Sequence, residues 1–411
     1  MEVPPTAGLP LRWRDLRGRD SPQLAERAAA FLGLPEVQIE CSGTACLIVA
    51  LLALRTLSSR RTVIIPAFTC PLVPLAIEYC GLRVQLCDLA EDHFDMDPEV
   101  LASRCNDDTL AVIPTHLAGR VANVNAAWTH AKGVGAWVIE DAAQALGARF
   151  YGKFVGTLAD IGFFSLAVGK GLTTYEGGIL CAGDPPLRAA MRRVHKQIIR
   201  ENGLREFARA VQLLGYASFY RPHWMRLMYG MPLRRALRRG RLVEAAGDLV
   251  NPRIPLHELG RWRGTVAARA FERLAEFQLE LAALATSRSA RLAQIADLKV
   301  FSDPRGAHGT WPCLLVLMPS EASRDAALAR LWPAGVGASR LFVHALPDYS
   351  FLSSIVPTGQ AARARSFAAR TLTLSNSPWL SDAQFEQIVG TLTWAVRSRP
   401  RMHSATSANS L

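Results

Sequence analysis

The sequence predicts an α/β protein, a mostly parallel sheet wrapped by helices, with a smaller α+β unit behind it. Three observations carry that prediction. Short apolar runs without polar alternation recur through the first half, as strands buried on both faces do. A helical pattern with its own start and stop signals separates most runs, which is the spacing of βα units. After Pro185 the texture changes: basic helical patterns come first, then a few strands mixed with amphipathic helices.

The elements follow in order. EVQIE reads as a short strand, and GTACLIVALLALRTL as a helix opened by a Ser-Gly-Thr turn. RTVIIPAF is a second strand, and LVPLAIEYCG a helix closed by Gly81. RVQLCDL is a strand, DPEVLASRC a helix with Pro98 at its start, LAVIPTHL a strand, and VNAAWTHAKGVG a helix ending in glycines. AWVIEDAAQALGA begins as a buried strand; ADIGFFSL and GGILCAG are further apolar strands. Residues 188–243 form a basic helical insertion. TVAARAFERLAEFQLELAALATSRSARLAQIAD predicts one long helical pattern, TWPCLLVLMP a strand, SRDAALARLWPAG a helix and SRLFVHALP a strand. SDAQFEQIVGTLTWAVRSR is an amphipathic helix capped at Ser381 or Asp382. This organisation gives residues 1–250 to the large unit, 251–398 to the long helix and small unit, and 399–411 to a disordered tail.

Half of the 411 residues are hydrophobic, enough for a large core. The opening MEVPPTAGLPLRWRDLRGRD lacks the apolar centre of a signal peptide, and no apolar run approaches the ~20 residues that span a bilayer. Eight cysteines lie scattered with no CxxC pair, which gives no zinc or redox signature and suits reduced thiols in a cytoplasm. The formal charge of +12 sits in one place: residues 188–241 hold 14 Lys and Arg against Glu201 and Glu206. A local basic segment of this kind leaves nucleic acid as the weakest of its readings.

Chemistry concentrates around GFFSLAVGKGLTTYEGGIL, where Lys170 stands between Gly169 and Gly171 after an apolar run. A P-loop would need glycine where Phe164 stands and Ser or Thr where Gly171 stands, so GKG is not one. An amine near a buried strand end is disfavoured as an ammonium and becomes a nucleophile. CSGTACL is a strand-to-helix turn whose free amides and Thr44 hydroxyl suit a phosphate dianion. VIEDAAQALGA ends a buried strand with two acids, Glu140 and Asp141, and Gln144 follows. A buried acid needs a partner, and a strand's C-terminal end faces the ligand crevice. Phosphate site, carboxylate and lysine together are the set that pyridoxal 5′-phosphate (PLP) needs.

These pieces resemble the DegT/DnrJ/EryC1/StrS family, the sugar aminotransferases of fold type I. The likeness runs from about Ile39 to Leu392. It is carried by SGTACLIVALLAL, VIIPAFTCP, AVIPTHLAGRVANV, the stretch from VIEDAAQALGA to YEGGIL, and FAARTLTLSNSPWLSDAQFEQIVGTL. The resemblance implies a mostly parallel seven-stranded sheet in a large PLP-binding domain and a smaller α+β C-terminal domain. It makes Lys170 the Schiff-base lysine and Asp141 the partner of the pyridinium, and places Gln144 beside the ring oxygen. Gly43, Thr44, Ala45 and Ser165 would hold the phosphate. His116 and Arg340 are candidate substrate contacts, although a hydrogen-bonded strand-end histidine explains His116 equally. A homodimer with active sites at the interface is implied, as are an amino donor, L-glutamate, and a nucleotide-linked keto sugar as acceptor, in surface polysaccharide or secondary-metabolite biosynthesis.

Four departures from the family pattern bear on the substrate. Cys70 stands where an aromatic residue usually stacks on the cofactor ring. No asparagine aligns just before AARAFERL, and Asn251 is offset. Phe342 replaces a common histidine, with His344 nearby, and Glu176 stands where aspartate is frequent. The alternative is a PLP-holding regulatory or sensor pseudo-enzyme; Lys170, Asp141, Gln144 and Ser165 oppose it. Lysine, not the histidine of dehydratase relatives, argues for transamination.

In residues 188–241 apolar and aromatic side chains interleave with arginines, and three readings stay open. One is a helix pair on anionic lipid at the inner face of the membrane, with Phe219, Tyr220, Trp224 and Met228 inserting beside Arg234, Arg235, Arg238 and Arg239. The others are a docking surface for an acidic or diphosphate substrate, and a solvated insertion packed on the dimer.

Overall fold

The computed structural model describes residues 1–17, 23–246, 253–359 and 361–398. A seven-stranded sheet lies at its centre. The strands in chain order are β1 (Gln38–Glu40), β2 (Thr62–Pro66), β3 (Arg83–Cys87), β4 (Thr109–Val112), β5 (Trp137–Asp141), β6 (Ile161–Ser165) and β7 (Gly178–Ala182). In space they run β1-β7-β6-β5-β4-β2-β3. Neighbours are parallel except around β7, which runs antiparallel to β1 and to β6. β2, β4, β6 and β7 are buried along their whole length. That is why TVIIP and TLAV carry no alternation: helices such as Gly43–Leu57 and Val124–Gly133 cover the faces.

A second sheet of four antiparallel strands belongs to the C-terminal unit. Its members are β8 (Lys299–Val300), β9 (Cys313–Leu317), β10 (Ala338–Ser339) and β11 (Thr371–Ser375), ordered β8-β9-β11-β10. Helices Leu274–Leu292, Glu321–Ala334 and Asp382–Arg397 close its core. Ser381 is the cap of the last helix: its hydroxyl accepts from the Gln384 amide (3.3 Å), and Gln384 returns a bond to the Ser381 amide (3.1 Å).

Two expected elements come out differently. The long helical pattern splits into Arg261–Phe271 and Leu274–Leu292. At the break Arg273 N bonds back three residues to Ala270 O, and its guanidinium reaches Asp15 and the Pro10 carbonyl. The strand expected over SRLFVHALP shrinks to β10. The amides of Val343 and His344 give their protons to the Tyr349 hydroxyl rather than to a strand neighbour. The unit boundary at residue 250, Asn251 and the tail 399–411 lie outside the described residues.

The first residues act as a strap that no sequence signal announced. Glu2 N bonds Pro222 O (2.9 Å), Val3 N bonds Gly335 O (2.8 Å), Ala7 N bonds Pro312 O (2.7 Å) and Leu9 N bonds Gly171 O (2.8 Å). Val3, Ala7, Leu9 and Leu11 are buried. Tyr220, from the basic insertion, donates its hydroxyl proton to Thr6 O and accepts from Gly8 N, both at 3.1 Å. None of the eight cysteines forms a disulfide, six are buried, and burial pushes thiols such as Cys80 and Cys313 up to about 12. No described helix is long and apolar enough to cross a membrane.

Candidate active site

β2, β4, β5 and β6 lie side by side and parallel, so their C-terminal ends share one edge, where open α/β sheets bind ligands. Cys70 follows β2, Thr115 and His116 follow β4, Asp141 ends β5 and Ser165 ends β6. Backbone bonds knit this edge: Asp141 N to Pro114 O (3.0 Å) and His116 N to Asp141 O (2.9 Å). The Thr69 and Thr115 hydroxyls meet at 3.2 Å.

Strand alternation turns Glu140 and Asp141 to opposite faces. Glu140 is wholly buried and accepts from the amides of Gly156 (2.8 Å), Leu158 (2.6 Å) and Ala159 (2.8 Å). It also meets His116 Nε2 at 3.1 Å. Since His116 Nδ1 accepts the Ala122 amide (3.0 Å), Nε2 carries the ring's proton and donates it. Both ring nitrogens are therefore engaged within the protein, and neither is turned to a substrate.

Asp141 is 4% exposed, and its Oδ1 accepts from the Ala143 amide at 3.1 Å. Burial pushes the carboxyl up; the Ala143 amide and the positive charge of Lys170 pull it back. The lysine thus stands close enough for its charge to be felt. Lys170 rides a turn between two glycines in left-handed conformation, Gly169 (φ 81°) and Gly171 (φ 86°), which a side chain would strain. Lys170 and Gln144 line one small cavity with Gly171, Thr310 and Pro312. The Gln144 carbonyl oxygen accepts from the Ala118 amide (2.9 Å), which leaves its NH2 as the donor end.

The fourth component is the start of helix Gly43–Leu57. Ser42 Oγ caps it by accepting from Ala45 N (3.0 Å), and the amides of Gly43 and Thr44 precede that bond at the open end. A Cβ on Gly43 would lie 3.2 Å from Ser165 Cβ, and one on Gly178 would lie 2.6 Å from the Ser42 carbonyl. The helix start, Ser165 and β7 are thus pressed together around a patch of amides and hydroxyls. Helix end, buried acid, amine and directed amide form a donor set that fits PLP.

The remaining expected residues sit at the rim. Cys70 is half-buried in the turn into helix Leu72–Tyr79. The loop bearing Arg340 packs on that turn: Leu346 N bonds Ala67 O (2.9 Å), and the Phe342 ring meets Phe68 edge-on at 5.4 Å. Arg340 itself is buried and donates to the carbonyls of Val343 and Ala368, with burial pushing it down to about 10. Its side chain closes this loop. Glu176 pairs with Arg209, and its carbonyl receives Arg263 (2.6 Å). Thr115, Thr310 and the N-terminal strap escaped the sequence reading; the apolar residues Val3, Ala7, Leu9 and Leu11, set among prolines, were its only trace.

The DegT/DnrJ/EryC1/StrS aminotransferase family model matches residues 8–218. The dTDP-3-amino-3,4,6-trideoxy-alpha-D-glucose transaminase of Streptomyces venezuelae is 27% identical over 340 residues, 82% of this chain and 76% of that protein. The GDP-perosamine synthase of Caulobacter vibrioides is 31% identical over 185 residues, 45% of this chain and 50% of that protein. The chain spans a third to a half of the length of several curated relatives it matches. The structure of Spr1654 from Streptococcus pneumoniae in its PLP form superposes with a TM-score of 0.72 at 17% identity, over 96% of this chain and 99% of that one, which is a likeness of fold. With the matched segment running through the helix start, Asp141, Ser165 and Lys170, the chain belongs to the DegT/DnrJ/EryC1/StrS aminotransferase family.

Proposed function

We propose that the chain is a PLP-dependent aminotransferase that moves an amino group from an amino acid, with L-glutamate the first donor to test, onto a keto sugar carried on a nucleotide. The observation that carries this reading is the buried Asp141 carboxyl at the end of β5, raised by burial and drawn back by the Ala143 amide and the charge of Lys170. Names of relatives supply the sugar: a dTDP-amino-sugar transaminase and a GDP-perosamine synthase are among them.

Bound here, PLP would supply an electron sink for a carbanion at the amino-bearing carbon. The chain's own residues supply the rest. The amides of Gly43 and Thr44 and the hydroxyls of Thr44 and Ser165 hold a dianion at the positive end of the helix. Asp141 would pair with a cationic ring nitrogen and keep it protonated. Lys170 Nζ would take the proton from the amino-bearing carbon of the donor, as base, and give it up on the far side of the amino nitrogen, as acid. Gln144, its side-chain oxygen held by the Ala118 amide, would offer its NH2 to a ring oxygen. His116 works at one remove by holding Glu140, and Glu140 holds the 156–159 turn beneath β6. We also infer a homodimer, supported by the exposed stripe Leu204, Phe207, Val211 and Leu214 on helix Gly203–Phe219. That helix carries the Arg209 that pairs with Glu176 and the Glu206 that holds Arg263, beside the site. The intact set of Lys170, Asp141, Gln144 and Ser165 weighs against a pseudo-enzyme.

The test is a screen of keto-sugar nucleotides with L-glutamate, scored by 2-oxoglutarate release from wild type and Lys170→Ala. Release that needs both Lys170 and the sugar supports the reading. Equal release from the variant would sink it.

A further inference from the structure

Residues 222–238 form one continuous helix, in which Pro222–Met225 and Met231–Arg238 flank a single π turn, Arg226–Gly230. Its inner side is fixed. Met225, Leu233 and Ala236 are buried, and Arg234 pairs with buried Glu2 at 2.9 Å. Tyr220 is likewise buried against the strap. Tyr220 and Arg234 therefore leave the surface that the sequence assigned them to.

The outer side is different. Trp224 (49% exposed), Leu227 (52%), Met228 (58%) and Met231 (55%) project at positions i, i+3, i+4 and i+7. Phe219 meets Trp224 edge-on at 5.4 Å and extends the stripe. Arg226, Arg235, Arg238 and Arg239 are exposed and make no ion pair among the described residues. No acid occurs in residues 222–241.

We propose that this face docks the protein on an anionic lipid bilayer. A single convex helix offering long, protruding apolar side chains calls for a soft apolar phase, not a preformed groove. Arginines flanking such a stripe lie where lipid phosphates would be. A second copy of this chain is disfavoured as the occupant, because a two-fold contact brings the same unpaired arginines together.

Cosedimentation of the full chain with phosphatidylcholine vesicles containing roughly a third phosphatidylglycerol tests it. Binding is expected at low salt, weakening as salt screens the surface. Arg235→Gln/Arg238→Gln/Arg239→Gln should weaken it about a hundred-fold, about five-fold per arginine. Trp224→Gln/Met228→Gln should weaken it at every salt concentration. All these positions are exposed, so unchanged thermal unfolding of the variants confirms that the fold is intact. Absence of binding to these vesicles at low salt overturns the proposal. So does equal binding to pure phosphatidylcholine, or a face whose substitution changes only the oligomeric state. Capture of a DNA or RNA oligonucleotide in place of vesicles overturns it in favour of nucleic acid.

Discussion

His116 gives its Nε2 proton to Glu140 across 3.1 Å, with both side chains wholly buried. The pair divides the labour of the two neighbouring acids. Glu140 receives three amides and an imidazole and is saturated, whereas Asp141 has a single backbone donor and the lysine's charge. One acid builds the edge of the sheet; the other keeps acceptor capacity that a cationic partner would fill.

Glu140→Gln should therefore act on stability. An amide offers one acceptor oxygen where the carboxylate used two, and its NH2 would face donor amides. We expect a loss of about 2–4 kcal/mol, read from denaturant unfolding. Unchanged unfolding would contradict the assigned bonds.

Asp141→Asn should do the reverse. Burial raises the folded carboxyl above its ordinary 3.8, so the folded protein keeps a proton that the unfolded chain has released. Stability from this group is full below that ordinary value and falls as pH rises through the folded value. The cofactor-free variant should then match or exceed wild type in melting temperature at neutral pH, with the gap closing toward pH 4. Turnover should drop roughly 10²-fold or more. A variant less stable than wild type at neutral pH would contradict the argument.

Lys170→Ala should abolish turnover and the visible absorbance of the PLP-loaded protein, while far-ultraviolet circular dichroism is unchanged. The side chain is half-exposed and supports no core. Retained absorbance would move the covalent role to another lysine.

His195 gives a second pH signature, remote from the site. Its hydrogen bond with Glu40 (2.9 Å) raises its folded pKa above the ordinary 6.5. That stabilisation is complete below 6.5 and lost as pH climbs through the folded value. His195→Gln should cost about 1–2 kcal/mol at pH 6 and progressively less above it. A constant difference across pH would show that the loss is packing alone.

The sheet was legible because its strands are buried on both faces and their apolar runs have no other explanation. The lysine, the two acids and the helix start were legible as local patterns. The local pattern alone did not choose between the two acids; the family resemblance named Asp141. The break at Glu272–Arg273 hinges on Asp15, 258 residues away from Arg273, and local periodicity cannot report such a contact. The same holds for SRLFVHALP, whose hydrophobicity reflects burial, while a tyrosine hydroxyl takes the amides that a strand would have shared. Membership of a polar contact was the least visible property: His116 and Arg340 both serve the protein's own backbone or side chains.

The strap also sets an order of events during synthesis. Residues 2–11 leave the ribosome long before Pro222, Pro312 and Gly335, three of the partners that receive them. Until those residues emerge, Glu2, Val3 and Ala7 lack these bonds, whereas Gly171, the partner of Leu9, is made earlier. Part of the strap can therefore settle only after most of the chain has been made. An apolar segment that waits for late partners is open to off-pathway contacts until they arrive.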